Sequence, residues 1–455
     1  MSKYDLLTKP YEQDLLKSLS DLVSFNSVLD PSTIDKENPF GKGVSAALQY
    51  IENLAKKDGF VVNNYSNMVV EILCGTGKKN ITILAHADIV PVGTGWERDP
   101  LTVFEKDGVL YGRGVADDKG PLLASYYALK ALRDNNLIGD YTVRFLAGGN
   151  EETGSRGMFH YFYELKKEQP DLGFSPDAEF PLIFAEKGIF DFKVCKKLDL
   201  KNIYSIKGGV ATNCVIEKCD VLLDKDEKFV EYLKANNIKF ELSENGDKYN
   251  ISFIGKAAHG SVPQFGINAG MIAIRELGNF YGIEEFKELY LKFEDVFGRG
   301  INAYSQSIDM GENSSNIGIM NYENGEFVMI DNFRFVDTAD QEELKKNILA
   351  SLKNFEVKMG YGVPVLHYPK DSVLVQTLLK AYQEETGDYE TPIMAIGGGT
   401  YAKVAKNIVA FGMDFPGWNS NMHSPGEQVK VSALFKGMSI YANAIVALGE
   451  KLNEN

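Results

Sequence analysis

The sequence predicts an α/β protein in which a mostly parallel sheet, with helices on both faces, is interrupted by an inserted α+β domain. Three observations predict it: apolar strands alternate with amphipathic helices in the first part of the chain, this rhythm changes near residue 188, and it returns after about residue 380. Alternating strands and helices are typical of a parallel sheet covered by helices. We therefore predict a discontinuous domain, 1–187 plus 381–455, that holds an insertion, 188–380.

The elements of the discontinuous domain follow from apolar periodicity. Leu15, Leu16, Leu19 and Leu22 recur at helical spacing. The segment ITILAHADIV is rich in β-branched residues, which favour strands. In chain order, we predict a helix over 11–24, a strand over 81–90, a helix over 119–136, a strand over 141–152, a helix over 154–168 and a C-terminal helix over 431–452.

The insertion has a different pattern. Its first segment, GIFDFKVCKK (188–197), mixes apolar residues with polar and basic ones, as a half-buried strand does. Further strands are predicted over 248–260 and 327–336, each followed by a helix, near 267–280 and up to about residue 354. Strand–helix units with polar surroundings indicate an α+β domain.

Composition excludes several classes of function. The 455 residues include 48 Lys and Arg against 63 Asp and Glu, a net charge of −15. A surface this acidic repels phosphate backbones and anionic lipid, so we expect neither a nucleic-acid nor a membrane partner. Four cysteines without a CxxC pair indicate reduced thiols, and the N-terminus lacks a signal peptide. No run of about 18 apolar residues predicts a spanning helix, so we expect a cytoplasmic protein.

Polar residues gather where the predicted strands of the discontinuous domain end. Ligands of open α/β sheets bind beyond the carboxyl ends of the strands, so these side chains are expected to lie together. They are His86, Asp88, Asp117, Asp118, Glu151, Glu152, Asp177 and His423. A lone histidine or an acidic pair at a helix start is common and uninformative by itself. Together, however, these carboxylates would repel one another strongly without a cation.

The donor types restrict the metal. Imidazole nitrogen and carboxylate oxygen without thiolate suit Zn²⁺, Mn²⁺ or Co²⁺. Two histidines and three or four carboxylates are too many for one tetrahedral ion, but they suit two ions about 3.5–4 Å apart. We therefore expect two divalent metal ions, with Zn²⁺ as the first choice.

Six segments carry a resemblance to a known family. They are LAHADIVPVG, YGRGVADDKGP, LAGGNEETGSRG, FSPDAEFPLIFAEKG, GKAAHGSVPQFGINA and NMHSPGEQV. They resemble signatures of the co-catalytic zinc metallopeptidases, the family of aminoacylase, glutamate carboxypeptidase and carnosinase. Within it, DDKGP, FSPDAEFP and the length of the insertion point to the bacterial PepV-type dipeptidases. The resemblance runs from about residue 80 to 430 and makes 1–187 and 381–455 a catalytic domain and 188–380 a lid.

The resemblance implies a role for each residue of the cluster. Its Glu151 resembles the general base, and Asp88 the acid that orients the ligand His86. A cis peptide is expected between Asp117 and Asp118. Asn150 stands where the family more often has an acid, which is not a ligand. The implied metal ligands are His86 and Asp177 at one ion, Glu152 and His423 at the other, and Asp117 as the bridge between them.

The insertion supplies candidate substrate-binding residues. His259 resembles the lid histidine that reaches the substrate carbonyl oxygen, and Arg334 the arginine that pairs with the substrate's terminal carboxylate. Asn213 resembles a further polar contact of the lid. The segment GGGTYAK (397–403) opens a predicted helix, so the backbone N–H groups of Gly398 and Gly399 are expected to hold an anionic group.

The expected reaction is the hydrolysis of unblocked dipeptides. One alternative is another amidohydrolase of the family, a succinyl-diaminopimelate desuccinylase or an N-acyl amino-acid deacylase. The long lid argues against it, since shorter lids in the family dimerise to complete the site; for the same reason we expect a monomer. The other alternative is a catalytically dead metal-binding or regulatory protein, which would have lost Glu151 or a ligand, and none is lost here.

Overall fold

A computed structural model describes residues 1–454, and in it the chain divides into two compact units. The first comprises Met1–Ala185, Tyr368–Met394 and Gly399–Asn455, and the second Glu186–His367 and Ala395–Gly398. The return to the first unit comes earlier than the predicted boundary at 380/381, which would cut the helix Val373–Thr386 in two. The reason is that this helix packs as a whole in the first unit.

The first unit is built on a mixed sheet. The strands from Thr142–Gly148 to Ile408–Ala410 are parallel to their neighbours, whereas the pairings towards both ends of the series are antiparallel. The α/β class is therefore confirmed, with fewer parallel pairings than the sequence predicts. The strands run in the order Val61–Tyr65, Val69–Gly75, Thr142–Gly148, Asn80–His86, Leu172–Ser175, Ile408–Ala410 and Ile183–Glu186.

Helices and short strands complete the first unit. The segment 154–168, predicted as one helix, instead forms one α-helical turn followed by a π-helical turn, His160–Glu164. The α-helices are Lys3–Thr8, Glu12–Val23, Lys42–Lys57, Lys119–Asp134, Arg156–Phe159, Val373–Thr386 and Val431–Glu454. Short strands add Phe104–Lys106, Val109–Tyr111, Ala178–Glu179, Met394–Ile396, Met413–Asp414 and Gln428–Lys430.

The C-terminal helix Val431–Glu454 is, by length and composition, the one helix of residues 1–454 that could cross a membrane. The sequence predicts this helix over 431–452 but no membrane-spanning run within it, because Lys436 and small polar residues interrupt the apolar residues. In the structure, 61% of the most apolar 18-residue stretch of this helix is buried inside the protein. Its apolar side chains therefore form core, as those of Met438, Ile440 and Leu448 do.

The second unit is an antiparallel sheet with helices. Alternate residues of its first strand, such as Phe190, Phe192 and Val194, enter the core, as expected for a sheet with one covered face. The strand order is Phe240–Asn245, Lys248–Ile254, Lys218–Asp224, Ile203–Gly208, Ser314–Glu323, Glu326–Phe335, Gly188–Lys197 and Glu356–Val363. The helices are Glu227–Ala235, Ala269–Tyr281, Glu284–Phe293 and Gln341–Ser351, and the short strands are Gln306–Ser307, Gly311–Glu312 and Leu366–His367.

Candidate metal centre and substrate-binding groups

The centre forms where two parallel strands end side by side. His86 is the last residue of its strand, and the parallel register pairs it with Gly148 at the end of the next. The chain leaves that second strand through Asn150, which has a left-handed backbone (φ 70°). Asparagine tolerates this conformation better than most residues. The turn brings Glu151 and Glu152 back to the edge where His86 lies.

Asp88 ties these two strand ends together. Its carboxylate accepts the backbone N–H groups of Glu151 and Glu152, at 3.1 and 3.3 Å. His86 Nδ1 lies 3.0 Å from the backbone carbonyl of Asp88 and 3.5 Å from its carboxylate. Asp88 therefore contacts His86 through its backbone as well as its side chain, and its side chain also holds the Glu151–Glu152 turn.

Asp117 lies between the two histidines. One of its oxygens is 3.0 Å from His86 Nε2 and the other 2.8 Å from His423 Nε2. The peptide bond between Asp117 and Asp118 is cis, as the resemblance implies. Asp118 accepts the backbone N–H of His86 at 2.9 Å and belongs to neither group of potential metal ligands.

Two groups of potential ligands share Asp117. The ligand atoms of each group lie within 4.8 Å of one another, a spacing that could hold a metal ion. His86 Nε2 is 3.6 Å from Asp177, and His423 Nε2 is 3.3 Å from Glu152. All five residues that the sequence marks as ligands are thus brought together. The first group consists of His86, Asp117 and Asp177, and the second consists of Asp117, Glu152 and His423.

The electrostatics of this cluster show an excess of buried negative charge. Burial and the charge of Asp117 raise the pKa of Glu152 to about 7. Burial also raises the pKa of Asp177 to about 7, with the attraction of His86 opposing and the repulsion of Asp117 adding to the shift. The contacts with Asp117 and Glu152 raise the pKa of His423 to about 11.

The residues present fit a pair of divalent cations. One oxygen of Glu152 is buried and has no hydrogen-bond partner within residues 1–454, which is costly unless something outside the chain binds it. The donors are nitrogen and oxygen without sulfur, and one carboxylate is shared. Such a set suits Zn²⁺, Mn²⁺ or Co²⁺.

Glu151 differs from its neighbour Glu152. Its carboxylate belongs to neither ligand group. Burial, the charge of Asp177 and that of Glu152 raise its pKa well above the usual value, against the attraction of His86. A carboxylate beside a metal centre but outside the ligand set can take up and release a proton, which is what a general base requires.

Tyr401 is a residue of this centre that the sequence reading did not assign. Its ring packs edge-on against His86, with centroids 6.1 Å apart, and its hydroxyl donates to the carbonyl of Gly149 at 3.2 Å. A Cβ on Gly148 would lie 2.7 Å from the Tyr401 hydroxyl, so only glycine fits there. The segment GGGTYAK contains Tyr401, but the prediction for this segment rests on its glycines alone.

The glycine segment itself differs from the prediction. No α-helix begins there; a four-residue 3-10 helix, Tyr401–Val404, follows Thr400, whose hydroxyl accepts the N–H of Ala402 at 3.1 Å. A single short turn has little helix dipole. The predicted helix is therefore absent and no helix dipole supports Gly398 and Gly399, whose backbone N–H groups remain candidates for binding an anion.

In the second unit, His259 and Asn213 lie on neighbouring segments. The segments form a β-bridge between Cys214 and His259, and the carbonyl of Asn213 accepts the N–H of Gly260 at 2.7 Å. His259 Nδ1 is 2.7 Å from the hydroxyl of Ser261. Both His259 and Asn213 are exposed, so their side chains are accessible to a ligand.

Arg334 is buried in the same unit and held by neutral groups. Its Nε donates to Asn332 Oδ1 at 2.9 Å, and a terminal nitrogen donates to the carbonyl of Gly397. Burial lowers its pKa to about 10, although the charge of Asp191 opposes this. In the part of the chain that the structure describes, no carboxylate lies within ion-pair distance of Arg334. A buried guanidinium without such a partner is expected to attract an anionic ligand.

Lys187 adds a second buried cation that the sequence reading missed. It is 8% exposed, and burial together with the repulsion of Arg334 lowers its pKa to about 8. Its ammonium donates to the carbonyl of Glu312. The sequence feature that could have identified Lys187 is its position in the segment FSPDAEFPLIFAEKG, directly before the predicted domain boundary.

An α/β sheet with two ligand groups sharing one carboxylate at its strand ends defines a metal-dependent hydrolase. The model of the peptidase family M20/M25/M40 matches residues 82–447, and the chain belongs to this family. The resemblance seen in the sequence is thereby confirmed at the level of the family. The protein is a metallopeptidase, a hydrolase of peptide bonds.

Named relatives are similar to this chain over nearly its whole length, and solved structures share its fold. A protein of Bacillus subtilis named "Putative dipeptidase YtjP" is 32% identical over 96% of this chain and 98% of its own. A second protein with a putative-dipeptidase name, from Staphylococcus saprophyticus, is 32% identical over 97% and 98%. The dipeptidase Dug1p of Saccharomyces cerevisiae has the same fold, with a TM-score of 0.61 at 14% identity over 98% of both chains. So does a metallo-carboxypeptidase of Sulfolobus solfataricus, with a TM-score of 0.61 at 17% identity over 96% and 99%.

Proposed function

We propose that the protein is a metal-dependent dipeptidase that hydrolyses the amide bond of unblocked dipeptides. The observation that carries the proposal is the pair of ligand groups sharing Asp117, with Glu151 beside them and outside both. The full-length relatives with dipeptidase names support the choice of substrate.

The residues that would hold the metal ions are those of the two groups. His86 and Asp177 would serve one ion, Glu152 and His423 the other, and Asp117 both. When bound, two such ions polarise the scissile carbonyl group and lower the pKa of water. Zn²⁺ is our first choice, with Mn²⁺ or Co²⁺ as alternatives.

Glu151 would act as the general base. It takes a proton from the attacking water and later gives that proton to the leaving amine. Asp88 supports this role, since its carboxylate holds the backbone N–H of Glu151 at 3.1 Å. The turn that carries the base is thus tied to the strand end that carries His86.

The second unit would bind the substrate. His259 would donate a hydrogen bond to the carbonyl oxygen as negative charge develops on it, an interaction stronger in the transition state than in the ground state. Arg334 would pair with the free terminal carboxylate, with Lys187 adding positive potential. Asn213 and the backbone N–H groups of Gly398 and Gly399 would add polar contacts.

The remaining expectations are also proposals. We propose a cytoplasmic protein that acts as a monomer on a small peptide and binds neither nucleic acid nor membrane. The four cysteines are free, and Cys74, Cys195 and Cys219 are buried. Free thiols are typical of a reducing compartment.

A panel of substrates tests the dipeptidase assignment. Free dipeptides, N-acetyl amino acids and N-succinyl amino acids are offered to the protein loaded with Zn²⁺ or Mn²⁺. We expect kcat/KM to be highest for free dipeptides. Better turnover of the acylated amino acids would replace the dipeptidase with a deacylase or desuccinylase. No turnover by a protein that binds its metals would indicate a regulatory protein on a dead scaffold.

A further inference from the structure

A buried carboxylate, Glu427, lies four residues beyond His423 and belongs to neither ligand group. It is completely buried. One of its oxygens accepts three backbone N–H groups of a single loop, those of Gly114 at 2.9 Å, Ala116 at 2.9 Å and Asp117 at 3.2 Å. A carboxylate that accepts three amides in this way determines the path of the loop that surrounds it.

The other oxygen of Glu427 binds Arg113. The distance from the Arg113 guanidinium is 2.7 Å, and Arg113 is 1% exposed. No other carboxylate within residues 1–454 lies at ion-pair distance from Arg113. The guanidinium lies 5.2 Å from the ring centroid of Trp96. Each charge of this pair therefore depends on the other, because a buried charge left alone is costly.

The backbone joins the same two segments. The N–H of Gly112 donates to the carbonyl of Glu427 at 3.1 Å. Just beyond it, the strand Gln428–Lys430 pairs with Val109–Tyr111. The loop that carries Asp117 and the loop that carries His423 are thus fastened together, although they are about 300 residues apart in the chain.

This fastening determines where Asp117 meets its histidines. The backbone N–H of Asp117 is held by Glu427, and its side chain lies between His86 and His423. A shift of the loop would move the shared carboxylate away from both ligand groups together. A metal site depends on such orienting contacts nearly as much as on its ligands.

We propose that the buried Arg113–Glu427 pair is a positioning device that sets Asp117 and His423 at ligand distance before metal binds. The proposal rests on the ligand roles of Asp117 and His423 given above. Glu427 touches neither metal nor substrate, so it acts through the loop that it holds. Its signature is therefore metal affinity rather than turnover alone.

The test uses the variant Glu427→Gln. Glutamine keeps the side-chain volume and one oxygen that can accept the backbone N–H groups. Its NH₂ group then faces the Arg113 guanidinium, and two hydrogen-bond donors cannot pair with each other. Arg113→Lys is the second variant: lysine keeps the charge but cannot reproduce the guanidinium's forked geometry. Glu71→Gln is the matched control, since Glu71 is also a buried carboxylate, bonded to Asn63 and Tyr65, and contacts no ligand residue.

The measurement is the dissociation constant for Mn²⁺ of metal-stripped protein, by titration calorimetry, with urea unfolding of the same samples. We expect Glu427→Gln and Arg113→Lys to weaken Mn²⁺ binding by roughly 10–100-fold, as replacement of residues that orient metal ligands does. Glu71→Gln should bind Mn²⁺ like the wild type, whatever stability it loses.

The outcomes separate this inference from the proposed site. Asp117→Asn serves as the reference: if it binds Mn²⁺ like the wild type, the proposed metal site fails and the positioning role with it. If Asp117→Asn loses binding while Arg113→Lys and Glu427→Gln keep wild-type affinity, only the positioning role is overturned. Equal weakening in Glu71→Gln would also overturn it, because general destabilisation would then explain the loss. If Glu427→Gln does not fold, Arg113→Lys decides.

Discussion

The candidate metal centre of the first unit and the proposed substrate-binding groups of the second bury charge of opposite sign. In the first unit, burial raises the pKa values of Glu152 and Asp177 to about 7 each. In the second, burial lowers the pKa values of Lys187 and Arg334 to about 8 and 10. Both shifts have one cause, because removing a charge from water disfavours its charged form. Each unit therefore gains from a bound group of the opposite sign, cations in the first and an anion in the second.

This contrast separates the chemistry from the recognition. The first unit's carboxylates and histidines form a set that divalent cations would complete, and Glu151, the proposed base, lies outside both ligand groups. The second unit's cations suit a substrate carboxylate. Five predictions test this division, beginning with the one that should have the largest effect.

Removing the metal should abolish activity completely. The protein is treated exhaustively with a chelator, assayed on a free dipeptide, and then given Zn²⁺, Mn²⁺ or Co²⁺. We expect no turnover after chelation and recovery with at least one of these ions, because the ligand carboxylates cannot bind or activate the substrate alone. Full hydrolysis by protein shown to be metal-free would contradict the two-metal proposal.

Glu151→Ala should lower kcat by about 10²–10⁴, the usual contribution of a general base. Its metal content, measured by elemental analysis, should stay near that of the wild type, since Glu151 is outside both ligand groups. Glu152→Ala is the contrasting variant and should lose metal as well as activity. Equal metal loss in both would show that the two glutamates do not divide the roles as proposed.

His259→Ala should lower kcat by about 10²–10³, the typical effect of losing one oxyanion donor. Metal content should be unchanged, because His259 lies in the second unit and is in neither ligand group. His160→Ala is the control, since His160 pairs with Glu164 in the first unit and belongs to neither ligand group. A wild-type kcat in the His259 variant would remove it from the mechanism.

Arg334→Met should reduce the preference for free over C-terminally amidated dipeptides by about 10–100-fold, as expected for hydrogen bonds between charged groups. The measurement is the ratio of kcat/KM values for the two substrates. Arg275→Met is the matched control, because Arg275 belongs to the same unit but pairs with Glu276. If the wild type cleaves amidated and free dipeptides with equal kcat/KM, Arg334 does not recognise the terminal carboxylate.

Asp331 is a buried carboxylate of the second unit, and burial raises its pKa to about 7, with the hydroxyl of Ser315 opposing and Asp191 adding to the shift. The folded state then binds a proton more tightly than the unfolded chain, whose Asp pKa is about 3.9. The free energy of unfolding should therefore fall by a few kcal/mol as pH rises from about 4 through 7. Urea unfolding at pH 5 and pH 8 measures this, and Asp331→Asn should lose the part of the difference that Asp331 contributes; the rest comes from other carboxylates with a raised pKa, such as Glu152 and Asp177. An unchanged pH dependence in that variant would contradict the assignment.

The sequence alone determined the α/β class and the membership of the candidate metal centre. His86, Glu151 and Glu152 follow apolar strands, and the carboxyl ends of parallel neighbours meet at one edge whatever the details of packing. Asp177 and His423 belong to the same predicted cluster, and motif resemblance supplied the role of each residue in it. These features depend on local pattern and on chain direction, both of which can be read from one segment at a time.

Other features were decided only by the tertiary structure. The antiparallel ends of the sheet, the return to the first unit at Tyr368 and the two-sided role of Asp88 depend on which segments pair. The ion pair of Arg113 with Glu427 joins residues 314 positions apart. Lys187 looks like an ordinary polar residue in the sequence, and Arg334 is a candidate there only through the resemblance; burial in the structure shows that both are cations held out of water. Burial and long-range pairing depend on which distant segments of the chain pack together, so they cannot be predicted from a local sequence pattern.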